Sequence, residues 1–385
     1  MPAMRRVVVA DSLVDGAEHA PFNAGMLHAL ALALPPGCRI EFHAGASHRD
    51  CVLGSLGPSL RARILGGSLP VERAAREALV DRGLLALPVA ARDPADLLVL
   101  LAANRGTLLS LALLAATGRV RRGSAFAVLH AVAADLWAPR RRNPIARAVD
   151  LESALRLAMR LGAAPVLVEP GIRDEFAARF PGLASRARAW PHPLPPSPAP
   201  VAAGGEPGAP PRLGFLGLAS DGKGYARFVA VARAFAGRAE FHAIAHAPEG
   251  DGAHRAGGEV LATRPRAQRW PREEFLRAAS RLDFACLFHE PRRYRHVASG
   301  VLMDALALRV PVVAPDLPLF SALFRAHGPC GILYRPGDGP EAAIAEALAC
   351  RGGPRHAAMR ASLADAAATR APEALARILA ADLAP

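Results

Sequence analysis

The chain has 385 residues and a formal net charge of +13, and hydrophobic residues make up 52% of it. This length exceeds the size at which one core usually keeps growing, so two domains are expected. No aromatic-studded basic motif accompanies the positive charge, which argues against a nucleic-acid-binding protein. The cysteines show no CxxC spacing, so neither a zinc site nor a disulfide framework is indicated; they are Cys38, Cys51, Cys286, Cys330 and Cys350.

The N-terminus and the apolar segments lack the patterns of a secreted or membrane-spanning chain. Residues 1–10 lead directly into a predicted strand without the features of a signal peptide. The longest apolar helical stretch, at about 108–117, is shorter than the roughly 20 residues that a spanning helix requires. We therefore expect a cytoplasmic protein whose only membrane association is peripheral.

Short β-branched segments alternate with longer Ala- and Leu-rich amphipathic segments, an alternation typical of βαβ units with parallel sheets. The clearest strands of the first half are 6–10, 39–43, 96–101, 125–130 and 164–169. Proline and glycine then dominate 196–211, which predicts a linker because prolines remove hydrogen-bond donors and fix φ. A second series of strands follows at 213–216, 240–245, 283–288, 310–314 and 331–334.

These elements predict an α/β chain with two Rossmann-like domains that face a cleft. The expected parts are an N-terminal domain at 1–195, the linker at 196–211, a C-terminal domain at 212–365 and a C-terminal helix at 366–385. We expect that helix to pack back toward the N-terminal domain. Ligands of such sheets bind beyond the carboxyl ends of the strands.

Lys223 is the only lysine in a chain that is otherwise rich in arginine. It lies in a glycine-rich turn, 213–224 (LGFLGLASDGKG), directly after a predicted strand. A lysine kept where arginine is used elsewhere suggests a need for a compact point charge, and glycines let backbone N–H groups approach an anion. The turn therefore favours a phosphate site, and the alternative is a lysine left by chance in a solvated turn.

Three motifs of the second half resemble a known family. Residues 304–314, DALALRVPVVA, resemble the Glu-Ala-Met-Ala-x-Gly-x-Pro-Val-Val-Ala signature of GT-B glycosyltransferases, in particular the large retaining group of family 4 (group 1). Residues 217–224 are similar to that group's strand-turn with a Lys-Gly pair, and 331–338, GILYRPGD, resemble its later strand and loop. The resemblance implies a GT-B fold whose C-terminal domain binds a nucleotide-diphosphate sugar.

In the first half the resemblance concerns the acceptor side. Residues 16–23, GAEHAPFN, resemble the family's first loop, and 128–130, VLH, resemble the strand end that carries an active-site histidine. The resemblance implies that His130 and His19 line the acceptor site. There an imidazole is suited to orienting a hydroxyl or taking its proton. A chain with 13 histidines also places some of them at strand ends by chance.

Two positions depart from the family pattern of Glu-x7-Glu, whose second glutamate binds the donor ribose. Asp304 stands at the second position and His296 at the first. An aspartate can still accept hydrogen bonds from ribose hydroxyls, although it is one methylene shorter, whereas a histidine does not reproduce a carboxylate's charge. Leu218 stands just after the glycine of the first strand of the C-terminal domain, where the family commonly has an arginine.

The segment around these positions predicts a donor site. Ser299 and Gly300 are expected to open a helix whose first N–H groups hold phosphate, while Lys223 and Arg295 offset the charge of a diphosphate. Together with Gly217, His296 and Asp304, these residues form the predicted donor-binding set. The plainer alternative is that Ser299 is only an N-cap and Asp304 an exposed helical acid.

We expect neither a metal ion nor a cofactor, because the Asp-x-Asp arrangement of metal-dependent sugar transferases is missing. A loop with Trp137 beside three arginines suggests peripheral contact with a bilayer or a lipid phosphate. Those arginines are Arg140, Arg141 and Arg142. A solvated basic loop is the alternative.

The resemblance therefore implies a retaining, metal-independent, hexosyltransferase-type enzyme. It would move a sugar from a nucleotide-diphosphate donor to a glycan or glycolipid acceptor in bacterial surface-polysaccharide synthesis. Two alternatives remain open. One is a nucleotide-sugar-binding protein that has lost transferase activity, which the His296 and Leu218 departures favour. The other is a sugar-nucleotide epimerase on the same fold.

Overall fold

A computed structural model of the chain describes residues 5–71, 79–87, 97–130, 132–138, 143–194, 208–247 and 259–383. The chain divides into two compact units. The first comprises Met1–Pro196 together with Arg370–Pro385, and the second comprises Ser197–Thr369. Each unit has its own parallel sheet.

The first unit contains a seven-stranded parallel sheet. Its strands are β1 (Arg6–Asp11), β2 (Arg39–Ala44), β3 (Ile64–Ser68), β4 (Leu97–Leu100), β5 (Ala125–Val128), β6 (Ala163–Val168) and β7 (Arg188–Trp190). They are arranged in the order β3-β2-β1-β4-β5-β6-β7. The direction of winding reverses between β1 and β4, which opens a crevice at the carboxyl ends of these strands. Val7, Val8 and Val9 of β1 are at most 1% exposed, as expected for a strand covered on both faces.

Helices connect and cover these strands. They are α1 (Ala20–Ala33), α2 (Ala46–Gly54), α3 (Pro58–Arg61), α4 (Arg82–Leu85), α5 (Arg105–Ala116), α6 (Pro144–Ala148), α7 (Leu151–Arg160), α8 (Pro170–Arg179) and α9 (Pro181–Ala184), with a 3₁₀ turn at Ala133–Trp137. Side-chain caps set several of the starts. The Asn104 side chain accepts from the Thr107 N–H at 2.9 Å, and the Asp150 side chain accepts from the Ser153 N–H at 2.8 Å.

The second unit contains a six-stranded parallel sheet in the order β10-β9-β8-β11-β12-β13. Its strands are β8 (Arg212–Leu218), β9 (Glu240–His246), β10 (Leu261–Thr263), β11 (Phe284–Cys286), β12 (Val312–Pro315) and β13 (Gly331–Tyr334). Its helices are α10 (Tyr225–Ala234), α11 (Arg272–Ala279), α12 (Pro291–Tyr294), α13 (Gly300–Leu308), α14 (Pro318–His327), α15 (Glu341–Cys350) and α16 (Pro354–Ala368), with a 3₁₀ turn at Asp221–Lys223.

Phenylalanines fill the core on one face of this sheet. Phe215, Phe228 and Phe241 pack ring to ring, with centroids 5.6 Å and 5.8 Å apart for the two successive pairs. The three side chains are at most 1% exposed. The winding of this sheet reverses between β8 and β11, so its crevice lies at the carboxyl ends of these two strands.

The last helix, α17 (Pro372–Leu383), belongs to the first unit. It packs against α1 and β7, and the Trp190 indole N–H donates to Asp382 Oδ2 at 2.8 Å. A break at 369–371 separates it from α16, because Pro372 interrupts the helical hydrogen bonds and the Arg370 NH2 group is paired with Glu169 Oε2 at 2.7 Å. The expectation that the C-terminal helix packs on the N-terminal domain is confirmed.

Candidate functional site

Two predicted site residues, Gly217 and Lys223, lie together at the carboxyl end of β8. This glycine has a φ of +92°, and a Cβ placed on it would lie 2.9 Å from Val301 Cγ1 and 3.1 Å from Lys223 Nζ. A side chain there would be strained by the backbone conformation and would collide with the first turn of α13. Gly217 therefore lets the lysine and the helix approach the end of the strand closely.

The turn that carries Lys223 is fixed against the chain that follows β11. Gly224 has a φ of +77°, and a Cβ on it would lie 2.1 Å from the Phe288 carbonyl oxygen. The Glu290 N–H donates to the Gly222 carbonyl at 2.9 Å. Gly224 thus allows the two backbone segments to approach closely, and the hydrogen bond to the Gly222 carbonyl holds the turn of Lys223 in place.

Lys223 is half-buried and its ammonium is poorly compensated. Burial lowers the pKa of Lys223 to about 8, the Asp304 carboxylate opposes this shift, and Arg269 adds to it. In the described part of the chain, the ammonium has no hydrogen-bond or ion-pair partner. A desolvated cation with unused donors is suited to binding an anion.

The N-terminus of α13 presents free backbone donors beside this cation. Ser299 is the N-cap, as the sequence predicts, but its side chain does not cap the helix. Its Oγ is instead hydrogen bonded to His289 Nε2 at 2.9 Å. The N–H groups of Gly300 and Val301 have no acceptor among the described residues, and the space around Gly300 is open. Such a helix end favours a phosphate.

Asp304 lies one turn further along α13 and is 7% exposed, so it is not the exposed acid of the plainer alternative. Arg272 NH2, on the first residue of α11, donates to Asp304 Oδ1 at 2.6 Å. One oxygen of the carboxylate is therefore occupied by an arginine that the sequence interpretation did not single out.

Two histidines that the sequence interpretation also missed lie beside Lys223. Burial, together with the charge of Lys223, lowers the pKa of His289 to about 3, so its imidazole is neutral. Burial, Arg269 and Lys223 lower the pKa of His246, although a hydrogen bond to the Gly217 backbone opposes this. Both residues follow or end predicted strands, and this position at a carboxyl end is the signal that identifies them.

Arg295 and His296 lie between α12 and α13. Arg295 is exposed at the C-terminus of α12, and His296 is 4% exposed. Their predicted roles toward a donor remain predictions.

In the first unit, the two predicted histidines lie together. His130 follows β5 directly, and its ring centroid lies 4.6 Å from that of His19 and 4.5 Å from that of Phe22. His130 is 8% exposed, and neither of its ring nitrogens has a hydrogen-bond partner among the described residues. Burial and the neighbouring imidazoles of His19 and His192 lower the pKa of His130 well below its ordinary value.

His192 completes this group of imidazoles and was not among the predicted site residues. Its ring centroid lies 5.7 Å from that of His130. Its backbone N–H donates to Glu169 Oε1 at 3.0 Å, and its Nδ1 is hydrogen bonded to the Pro193 carbonyl at 2.8 Å. These bonds fix the ring next to His130. In the described ranges, no group of three or more His, Cys, Asp or Glu side chains is arranged to hold a metal ion.

The loop proposed for membrane contact is only partly described. Trp137 is half-buried and packs edge to face on Phe180, with centroids 6.2 Å apart, while Arg140, Arg141 and Arg142 lie outside the described residues. None of the helices in the described ranges combines the length and apolarity that crossing a bilayer would need.

No family model matches the chain, and no curated protein matches it by sequence. Solved structures do resemble it. Anabaena HepE in complex with UDP-glucose is 14% identical over 97% of both chains, with a TM-score of 0.66. The α,α-trehalose-phosphate synthase (UDP-forming) of Burkholderia vietnamiensis is 16% identical over 99% of this chain and 98% of that chain, with a TM-score of 0.65.

A third structure, the calicheamicin glycosyltransferase CalG4, is 16% identical over 100% of this chain and 99% of that chain, with a TM-score of 0.55. At such identities the likeness shows the fold alone. The fold that these neighbours share is GT-B. The predicted GT-B fold class, an α/β chain with two parallel sheets, is therefore confirmed.

Proposed function

We propose that this protein is a glycosyltransferase that takes its sugar from a nucleotide-diphosphate donor bound by the second unit. The observation that carries the proposal is the approach of Lys223 Nζ to Gly217 beside the free N-terminus of α13. A half-buried cation beside two helix N-terminal N–H groups that lack an acceptor among the described residues is complementary to a diphosphate.

The charge that develops during donor cleavage explains how these groups would promote sugar transfer. When the glycosidic bond to the nucleotide breaks, negative charge develops on the leaving diphosphate. Lys223 and the N–H groups of Gly300 and Val301 are already oriented, so they stabilise this charge with little reorganisation. Arg269, whose charge acts on Lys223, adds to the positive potential. Asp304 is proposed to accept a hydrogen bond from a ribose hydroxyl.

The histidines of the first unit are proposed to serve the acceptor. The pKa of His130 lies well below the ordinary value because of burial, which favours a neutral ring with a nitrogen that accepts a hydrogen bond from a sugar hydroxyl. His19 lies against it with ring centroids 4.6 Å apart. His130 and His19 are the proposed acceptor-side residues.

The comparisons support a donor of this class. Anabaena HepE is described in complex with UDP-glucose, and the Burkholderia enzyme is named as UDP-forming. The finer parts of the proposal rest on the motif resemblance to the retaining family 4 group: retention of configuration, hexosyl transfer without a metal ion, and an acceptor that is a glycan or glycolipid of a bacterial surface. Membrane contact through the loop at Trp137 belongs to the same proposal.

A second candidate, a nucleotide-sugar-binding protein without turnover, is favoured by one observation. His296 stands where the family has its first glutamate, and this imidazole is 4% exposed. It therefore does not provide the carboxylate of the family pattern next to the transferred sugar.

Release of nucleoside diphosphate distinguishes these functions. The protein would be incubated with UDP-, GDP- and ADP-sugars, with and without a mixture of simple glycans and lipid extracts. We expect release that requires an acceptor and that Asp304→Ala abolishes. Nucleotide binding without release would support the binding protein, and conversion of the donor sugar without an acceptor would indicate an epimerase.

A further inference from the structure

We propose that Arg272 is a positioning residue for Asp304. It holds one carboxylate oxygen so that the other faces a ribose hydroxyl, and it thereby makes the site select ribonucleotides over deoxyribonucleotides. This inference rests on the donor site proposed above. It assigns a role to a residue that lies outside the sequence motifs.

The contact between the two side chains is made through a single pair of atoms. Arg272 NH2 donates to Asp304 Oδ1 at 2.6 Å, while Arg272 Nε is buried and has no partner among the described residues. Asp304 Oδ2 has no hydrogen-bond partner in the same part of the chain, and a tenth of the Asp304 side chain remains exposed. The ion pair thus occupies one oxygen and leaves the other accessible.

The surroundings of α11 reserve Arg272 for this contact. Glu274 is the nearest acid on this helix that is not adjacent to Arg272. It is paired with Arg266, whose NH1 group donates to Glu274 Oε2 at 3.0 Å. The Arg272 guanidinium lies 5.6 Å from the Phe275 ring centroid, which restricts its rotamers. Because α11 packs against α13, the guanidinium reaches Asp304 across the helix pair.

The pairing also separates two charges that attract each other. Asp304 acts electrostatically on Lys223 and raises its pKa against the effect of burial. A carboxylate without a second cation would turn toward Lys223 and neutralise the charge that a phosphate requires. By holding Oδ1 on the side of α11, Arg272 leaves the second oxygen of Asp304 available to the ribose. The Lys223 ammonium then remains available to the diphosphate.

The test compares ribonucleotides with their deoxy counterparts. Affinities for UDP, GDP, ADP and CDP and for the four 2′-deoxynucleoside diphosphates would be measured by calorimetry on the full chain. For the nucleotide that binds best, we expect the protein to prefer the ribose form about tenfold, the value of one charge-assisted hydrogen bond. Arg272→Gln should reduce the preference to about twofold or less, and Arg272→Lys should restore part of it.

Two controls separate positioning from general destabilisation. Arg277→Gln changes an exposed arginine on the same helix and should keep the tenfold preference. In a double-mutant cycle, Arg272→Gln should cause no further loss of the preference once Asp304→Asn is present, since both act through the same carboxylate.

The outcomes distinguish the inference from the function on which it rests. An Arg272→Gln protein that binds nucleotide and keeps the full ribose preference would overturn the positioning role and leave the donor site standing. A loss of preference in Arg272→Gln that adds to the loss in Asp304→Asn would also overturn it. If the unaltered protein binds none of the nucleoside diphosphates, the proposed function itself fails.

Discussion

At the scale of single residues, Lys223 shows how far sequence reasoning reaches. Its rarity and its glycine-rich turn predict a charged site, and the structure places its ammonium 3.1 Å from the position of a Cβ on Gly217. Arg272 escaped prediction because its relation to the site depends on a tertiary contact, in which it reaches Asp304 from another helix. His289 was also missed, although its position directly after a predicted strand is a sequence signal; its hydrogen bond to Ser299 is visible only in the structure.

The lowered pKa of Lys223 predicts a pH dependence of nucleotide binding. With a pKa of about 8, only about a tenth of the side chain is protonated at pH 9, so affinity for UDP should fall roughly tenfold between pH 7 and pH 9. Lys223→Arg should remove this decline, because a guanidinium stays charged throughout. Calorimetry at pH 7 and pH 9 on the unaltered protein and on Lys223→Arg measures the UDP affinities. An equal decline of affinity in both proteins would refute the assignment of this pH dependence to Lys223.

We also expect Lys223 to lower the stability of the folded protein toward unfolding. Its folded pKa of about 8 lies below the ordinary 10.5, so the unfolded chain binds the proton more tightly and stability rises with pH between these values. Below pH 8 the shift corresponds to a cost of roughly 3 kcal/mol. We expect Lys223→Met to raise the melting temperature at pH 7 while it removes diphosphate binding. A lower melting temperature would contradict this sign.

At the scale of secondary-structure elements, the buried central strands and the edge strand β13 were predictable, whereas the other three edge strands were not. Strands β1 and β8 carry continuous apolar or glycine-containing runs, which are typical of a parallel strand covered on both faces. In contrast, β7 and β10 have three residues each, and β3 contains two glycines. Their extended conformation depends on pairing with a neighbouring strand, which local sequence does not encode.

Gly217 tests whether the end of β8 must approach α13. In Gly217→Ala, the new Cβ would meet Val301 Cγ1 at 2.9 Å and Lys223 Nζ at 3.1 Å, so we expect UDP affinity to fall at least about tenfold. Gly237→Ala is the matched control, since Gly237 has a φ of +76° with no atom within 4 Å. Gly237→Ala should lower the free energy of unfolding but leave the affinity for UDP unchanged. Equal affinities in the two variants would exclude the close approach.

At the scale of the whole molecule, composition and strand alternation sufficed to predict an α/β chain with two parallel sheets. The position at which the chain returns to the first unit was harder to predict from the sequence. The predicted C-terminal helix at 366–385 is interrupted at 369–371, where Arg370 is bonded to Glu169. Glu169 itself has a φ of +100° and is 3% exposed, a conformation that its partners must hold in place.

The packing of α17 should contribute measurably to the stability of the first unit. Leu379 is 0% exposed, so Leu379→Ala should lower the free energy of unfolding by about 2–5 kcal/mol. Leu113→Ala removes a leucine that is 50% exposed and should change it by less than about 0.5 kcal/mol. Urea unfolding followed by tryptophan fluorescence reports on this helix, because Trp190 is bonded to Asp382. Similar losses in both variants would contradict the packing.

The measurement that tests the donor site most directly is a thermal-shift comparison of the unaltered protein with Lys223→Ala. Each would be heated with UDP, GDP, ADP and CDP and with the corresponding nucleosides. A ligand that prefers the folded state raises the melting temperature. We predict a shift with at least one nucleoside diphosphate, a smaller shift with its nucleoside, and loss of the difference in Lys223→Ala. An unaltered protein that responds to none of them, or a variant that responds equally, would contradict the diphosphate site.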